Sequence, residues 1–294
     1  MNSNTLPVRI EAHLQDKLRT MFAPARSAAD GDAAATHEMR VATRRLRVSL
    51  RYFAALFPAG ELRQVQRQLR RTTRILGEIR SLDVNLQLLR QSAKYLPAGT
   101  VAVQRKLTGQ LLTARQQHVR DLRELVQTFA TSHFEARIRT LVLKRRPLDA
   151  QRVLADTRDF IAKLRRQLRR RFKSCRHDER CGPAFHKLRV AAKRYRYAIE
   201  TSMAVFRTNA AAQVSAIKAL QNCLGAYHDL EVLLDCLRAC RRQWTKADNP
   251  LASRLTNVLT FFQGEHEVAF ADVQKFLRED YVWHKKVRIL LPHD

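Results

Sequence analysis

Apolar residues along this chain recur at intervals of three and four over long stretches, and no segment alternates convincingly with period two. That spacing gathers apolar side chains on one side of an α-helix, so the chain is predicted to be all-α. Ile10, Leu14, Leu18 and Phe22 form one such ladder, and Phe160, Leu164, Leu168 and Phe172 form another in the second half. Wound at roughly 100° per residue, Met39, Ala42, Leu46, Leu50, Phe53 and Phe57 also share one side. Gly and Pro number only eight each. Breaks are predicted at Phe57-Pro58-Ala59-Gly60, Leu96-Pro97-Ala98-Gly99, Arg146-Pro147, Gly182-Pro183 and Asn249-Pro250. Each half then holds about four long helices and some shorter pieces, suited to two helical bundles packed together.

The polar side of the pattern is used twice. The segment HEMRVATRRLRVSLRY, from His37, returns as HKLRVAAKRYRYAIET, from His186. His37 thus meets His186, Arg40 meets Arg189, Arg44 meets Lys193, Arg45 meets Arg194 and Arg47 meets Arg196. Further along, LGEIRSLDVNL from Leu76 is matched by LGAYHDLEVLL from Leu224, which aligns Gly77 with Gly225, Arg80 with His228 and Asp83 with Glu231. Phe134, Arg139 and Leu141 correspond to Trp283, Arg288 and Leu290. The chain reads as one tandem duplication of residues 1–147 and 148–294, divided near Pro147.

Charge changes the picture next. Lys and Arg number 55 against 27 Asp and Glu, a net charge of +28, although 45% hydrophobic residues suffice for a sizeable core. Self-repulsion on that scale weakens a compact state, so the pattern points to a polyanionic partner. No apolar run reaches the roughly 18 residues of a membrane span. The polar start MNSNTLPVRIE lacks the apolar stretch of a secretory signal, and a soluble, cytoplasmic protein is expected. Five cysteines, all in the second half, argue for reduced thiols rather than a disulfide framework. Cys175, His177, Cys181 and His186 share a short stretch, but their spacing fits no standard zinc site and the first half has no equivalent. Neither a metal nor another cofactor is expected. Cys236 and Cys240 read as small packing residues on a helix.

The basic residues fall into stripes. His37, Arg40, Arg44, Arg47 and Arg51 cluster about 130° from the apolar side of their helix. In the second copy Leu188, Ala191, Tyr195, Ile199 and Phe206 pack while His186, Arg189, Lys193 and Arg196 face away, and Glu200 stands where Arg51 stood. The next helix of the first half carries Arg63, Arg67, Arg70 and Arg74 opposite Leu62, Val65, Leu69 and Leu76. Its counterpart has Ala211, Ser215, Lys218 and Asn222, so only Arg70 and Lys218 are basic in both copies. Cations every 5 to 6 Å or so along a helix suit a linear anion whose phosphates are met in turn. Arg offers a planar fork to phosphate oxygens, Lys a compact charge, and His a donor that strengthens as pH falls towards about 6.5.

Blander readings apply elsewhere. A single charge run is more often a solvated face, and only its repetition with a matched His argues otherwise. Ser81 and Asp229, each followed by an acid, read as helix N-caps, and Gly77 and Gly225 as helix-ending or close-packing positions. Arg80 and His228 could touch an anion at that helix start, but pairing with Asp83 or Glu231 is at least as well supported, and capping is the preferred reading of the segment. The run KLRRQLRRRFKSCR from Lys163 is an amphipathic helix whose Arg residues line an anion path or face water.

Two copies of H-x-x-R-V-A-x-[RK]-R-x-R, each followed by LG-x-x-x-x-L-[DE]-V, resemble the CHAD domain, the conserved histidine α-helical domain, over nearly the whole chain. The resemblance implies one domain of two pseudo-symmetric four-helix bundles with a central basic surface or pore that binds inorganic polyphosphate. It implies that His37, Arg40, Arg44, Arg47, His186, Arg189, Lys193 and Arg196 face the anion. Arg51, Arg70, Arg74 and Lys218 join them from the stripes. The weaker second copy predicts a site stronger on the first half, in a protein associated with polyphosphate bodies. No E-x-E-x-K strand of a triphosphate-processing domain is present: Glu265-His266-Glu267 lies in a helical stretch. With no paired-carboxylate site or Gly-rich phosphate loop, an enzyme is not expected. General RNA or DNA binding is the alternative, weakened by sparse aromatics for base stacking.

Overall fold

The computed structural model describes residues 5–143, 149–176 and 182–279. The described residues fold into α-helices joined by short turns, with one short 3-10 turn at Ala54–Leu56. In the first half these are α1 (Thr5–Phe22), α2 (Ala25–Ala29), α3 (Ala33–Tyr52), α4 (Ala59–Ser92), α5 (Val101–Thr131) and α6 (Phe134–Leu143). In the second they are α7 (Ala150–Arg176), α8 (Gly182–Phe206), α9 (Ala211–Lys246) and α10 (Leu251–Glu279). The all-α expectation is met. The expected break near Pro147, the partners Trp283, Arg288 and Leu290, and His177 and Cys181 lie outside the described residues.

The apolar ladders become the buried faces. Ile10, Leu14 and Leu18 of α1 are buried, as are Met39, Ala42, Leu46 and Leu50 of α3. Leu188, Tyr195, Ile199 and Phe206 of α8 follow the same plan. Asp32 caps α3 by accepting from the Ala35 amide at 2.6 Å. Gly31, with φ of 93°, takes the left-handed conformation that lets the chain leave α2 and enter α3. Its carbonyl accepts from Arg115 Nη2 of α5 at 2.9 Å, and Arg115 Nε in turn donates to Asp83 of α4. Pro183 lies in the first turn of α8, where its missing N–H costs nothing.

The two halves share their cores. The larger apolar cluster joins residues of α1, α3 and α4 to Leu168, Leu188, Tyr195 and Leu224 of the second half. The smaller cluster lies at the far ends of α4, α5, α9 and α10, where Leu89, Leu107, Leu237, Trp244 and Phe262 meet. Trp244 Nε1 donates to Gln110 Oε1 at 3.2 Å and ties α9 to α5 there. Between the halves α3 packs on α8, α4 on α9 and α5 on α10, so these three helices each meet the one aligned with them, whereas α1 packs on α8 rather than on its counterpart α7. Such shared burial makes the halves one cooperative body.

A buried polar relay fixes the central contact. His13 Nε2 of α1 lies 2.9 Å from Ser49 Oγ of α3, which lies 3.2 Å from Thr201 Oγ1 of α8. Thr201 also donates to the Tyr197 carbonyl at 2.9 Å. Burial pushes the His13 imidazole down to about 4, so at neutral pH it sits uncharged in this relay.

The N-cap reading of Ser81 and Asp229 is corrected. α4 runs 34 residues and α9 runs 36, straight through both positions. The physical reason is continuous burial: Leu76 and Ile79 of α4, and Leu224 and Tyr227 of α9, keep one face in the core past the local Gly signal. Gly77 and Gly225 neither end a helix nor pack closely, since a Cβ at either would meet nothing within 4 Å.

Candidate functional site

Four helices, α3 and α4 of the first half and α8 and α9 of the second, enclose a cleft of about 650 Å³. Each apolar stripe buries in the shared core, so the opposite stripes are turned towards one another across the cleft. α3 contributes His37, Arg40, Arg44, Arg47 and Arg51; α4 contributes Arg74 and Arg80. α8 contributes His186, Arg189, Lys193 and Arg194; α9 contributes His228. Against these cations stand two carboxylates, Glu78 and Asp229.

The sequence-derived residues divide accordingly. His37, Arg40, Arg44, Arg47, Arg51, Arg74, His186, Arg189 and Lys193 all line the cleft. Arg70 is exposed and outside the lining, yet near enough to depress the Arg47 guanidinium. Lys218 is exposed on α9 and does not line the cleft. Arg196 also turns aside: its Nε lies 3.5 Å from Glu200 Oε1, and its guanidinium rests 5.0 Å from the Tyr197 ring centre. Glu200 draws Arg45 Nε of α3 as well, at 3.4 Å, and so holds two cations away from the cleft. Arg47, the counterpart of Arg196, has no such acid and reaches Thr73 Oγ1 of α4 at 3.2 Å.

Other lining residues were passed over or assigned differently from the sequence. Arg80 and His228 face the cleft from mid-helix positions, not from caps. Asp83 is taken by Arg115, which leaves Arg80 to the cleft, whereas His228 Nδ1 does lie 3.3 Å from Glu231 Oε2. The His228 and His186 rings are 5.1 Å apart. The shared repeat position of Arg80 and His228 was the available signal. Tyr197, almost wholly buried, lies in the wall between the arginines, and nothing in its spacing distinguished it from a core residue.

The electrostatics are those of cations crowded out of water. Burial, then Arg44 and Arg189, lower the Arg40 guanidinium to about 10. Burial is also the first cause of the lowering at Arg44, Arg47 and Arg189. Lys193 falls to about 6, through burial and then Arg189, Arg44 and Arg40. His228 falls to about 4 through burial and the neighbouring cations. His37 and His186 are lowered too, by burial and adjacent basic groups. The expectation of histidines titrating near their ordinary value is thereby corrected: burial first, and then neighbouring positive charge, keeps them neutral until pH falls further. Asp229 sits within this crowd, 3.8 Å from Arg189 Nη2.

Arg40 Nε, Arg47 Nε and Arg189 Nε are buried without a hydrogen-bond acceptor. A buried donor left without a partner costs free energy on the order of 1–3 kcal/mol, and whereas the likewise unbonded Arg45 and Arg196 Nε atoms stand near Glu200, these three converge on one cleft where an acceptor could reach them. An anion with many oxygens would satisfy them and relieve the repulsion together. Among the described residues no group of three or more His, Cys, Asp or Glu is placed to hold a metal ion. No helix among them is long and apolar enough to cross a membrane.

Comparison with known proteins adds the ancestry. The CHAD domain family model matches residues 12–238. The fold resembles the crystal structure of the CHAD domain from the plant Ricinus communis, with a TM-score of 0.69 and 21% identity over 94% of this chain and 92% of that one. It also resembles PptA from Streptomyces chartreusis, with a TM-score of 0.63 and 16% identity over 93% of this chain and 99% of that one. No curated protein matches by sequence.

Proposed function

The chain belongs to the CHAD domain family, and we propose that it binds inorganic polyphosphate in the cleft between α3, α4, α8 and α9. The observation that carries this reading is the set of buried, acceptor-less arginine donors, Arg40, Arg47 and Arg189, converging from both halves. The CHAD family is associated in general with polyphosphate, which agrees with a cleft offering charge and donors along its length. A chain of phosphates brings an acceptor oxygen to each cation in turn and needs no platform for a base. Among the described residues Tyr197 is the one Phe, Tyr or Trp in the lining, and its burial leaves no face for base stacking.

The reading is of binding without turnover. The Thr73 hydroxyl donates to the Leu69 carbonyl at 2.7 Å and receives Arg47, so it is not held beside a base as a nucleophile would be. Incubation with polyphosphate and a divalent cation is expected to leave chain length unchanged on a gel; shortening would point to an enzyme. Association with polyphosphate bodies in the cytoplasm follows from the same binding. A fluorescent fusion should collect on them, and the cleft variants should disperse it.

Arg40→Ala with Arg189→Ala removes one cation from each half. The loss is expected to weaken long-chain polyphosphate binding by about 100-fold, taking about 1.5 kcal/mol for each charged hydrogen bond. Helix content by circular dichroism should be unchanged. Retention of wild-type affinity by this pair would refute the cleft as the binding site.

A further inference from the structure

A second basic groove, of about 520 Å³, lies between α7 and α8 on the outer side of the cleft wall. Arg170 and Arg171 of α7 and Lys187 and Arg194 of α8 line it. His186, Val190 and Arg194 line both this groove and the central cleft, so α8 is a shared wall and not a barrier. Arg170, Arg171, Lys187 and Arg194 are all exposed. Among the described residues no carboxylate lies within ion-pair distance of any of them. Four unneutralised cations on a surface that continues the cleft are a path, because a linear anion leaving the cleft over Val190 would meet them next.

The first half has no such path. Glu38 takes the place of Lys187, and Arg45, the counterpart of Arg194, is held by Glu200 at 3.4 Å. The duplication has therefore kept one cleft and added an outlet on one side only. The second half gives fewer cations to the cleft, as its sequence suggested, and has in addition a groove of its own.

Resting on the proposed function above, we propose that the α7–α8 groove is a second phosphate-binding site, continuous with the cleft, that captures the part of a polyphosphate chain too long for the cleft. Its consequence is length selection. Chains of a few phosphates fill the cleft alone, and longer ones add the contacts of Arg170 and Arg171. The Arg-rich α7 thereby has a ligand, and the molecule holds a long chain with a fixed side of exit.

The test measures affinity and its salt dependence for tripolyphosphate and for long-chain polyphosphate. The proteins are the wild type, Arg170→Gln with Arg171→Gln, and a charge-matched control, Arg105→Gln with Arg254→Gln on α5 and α10. The wild type should bind the long chain more tightly per molecule. The groove variant should lose about tenfold for the long chain, with a salt slope shallower by about 1.4, as expected for two lost contacts to a single-stranded polyanion. Its affinity for tripolyphosphate should stay within about twofold, and the control should match the wild type for both ligands. Equal losses for short and long chains, or the same loss in the control, would overturn the second site and leave the cleft. Failure of the wild type to bind either ligand would instead remove the premise of cleft binding.

Discussion

At the scale of single residues the cleft is defined by cations whose charged forms are disfavoured by burial and by one another. Lys193, lowered to about 6 by burial and by Arg189, Arg44 and Arg40, is the most sensitive of them. A bound polyanion replaces repulsion by attraction and raises Lys193 towards its ordinary value, so the complex takes up a proton. The sign follows: affinity should fall as pH rises from about 6 towards 9, by up to about tenfold per unit where uptake is complete. Isothermal titration across that range checks it, and Lys193→Arg, which stays charged, should flatten the profile. Asp229 works in the opposite sense. It occupies the place of an anion beside Arg189, and Asp229→Asn should tighten binding by several-fold, measured by the same titration. Weaker binding by that variant would show that Asp229 positions Arg189 instead.

His13 carries a separate residue-scale consequence for stability. Its pKa is about 4 in the folded protein, while about 6.5 is the ordinary value. The unfolded chain therefore binds a proton that the folded one refuses, and stability is lost as pH falls from about 6.5 to about 4. The loss attributable to His13 is at most about 3 kcal/mol. Chemical denaturation at several pH values measures it, and His13→Gln should reduce the slope.

At the scale of elements the amphipathic pattern was enough to place the helices and their buried faces. Met39, Ala42, Leu46 and Leu50 bury as their spacing requires, and the opposite stripe reaches the cleft. What the pattern could not supply was the length of α4 and α9. Gly77-x-x-x-Ser81 and Gly225-x-x-x-Asp229 carry local termination and capping signals, yet burial of Leu76, Ile79, Leu224 and Tyr227 overrides them. The helix-start placement of Arg80 and His228 failed for that reason, although His228 does pair with Glu231 as its spacing suggested. Glu200 misled in another way, because its reach across to Arg45 and Arg196 depends on how α3 and α8 pack, which spacing within one helix does not encode. Gly77 gives an element-scale prediction. It lies mid-helix with nothing within 4 Å of a Cβ, so Gly77→Ala should stabilise α4 by about 0.5–1 kcal/mol in a denaturation experiment.

At the scale of the whole molecule the duplication sets two stripes face to face, and the shared apolar core holds them there. Cations that would repel one another in isolation are kept together by burial elsewhere: Tyr195, Ile199, Leu46 and Leu50 lie beneath the arginines they support. The net charge of +28 is thus a long-range attraction for any polyanion, and on the proposed function the cleft would select among them by shape. The one measurement that tests this most directly is equilibrium competition for the wild-type protein between long-chain polyphosphate and RNA, at equal phosphate concentration and fixed salt. Polyphosphate should displace RNA with little reverse effect, because Arg40, Arg47 and Arg189 need closely spaced oxygens without bases between them. Displacement of polyphosphate by RNA on equal terms would contradict the account.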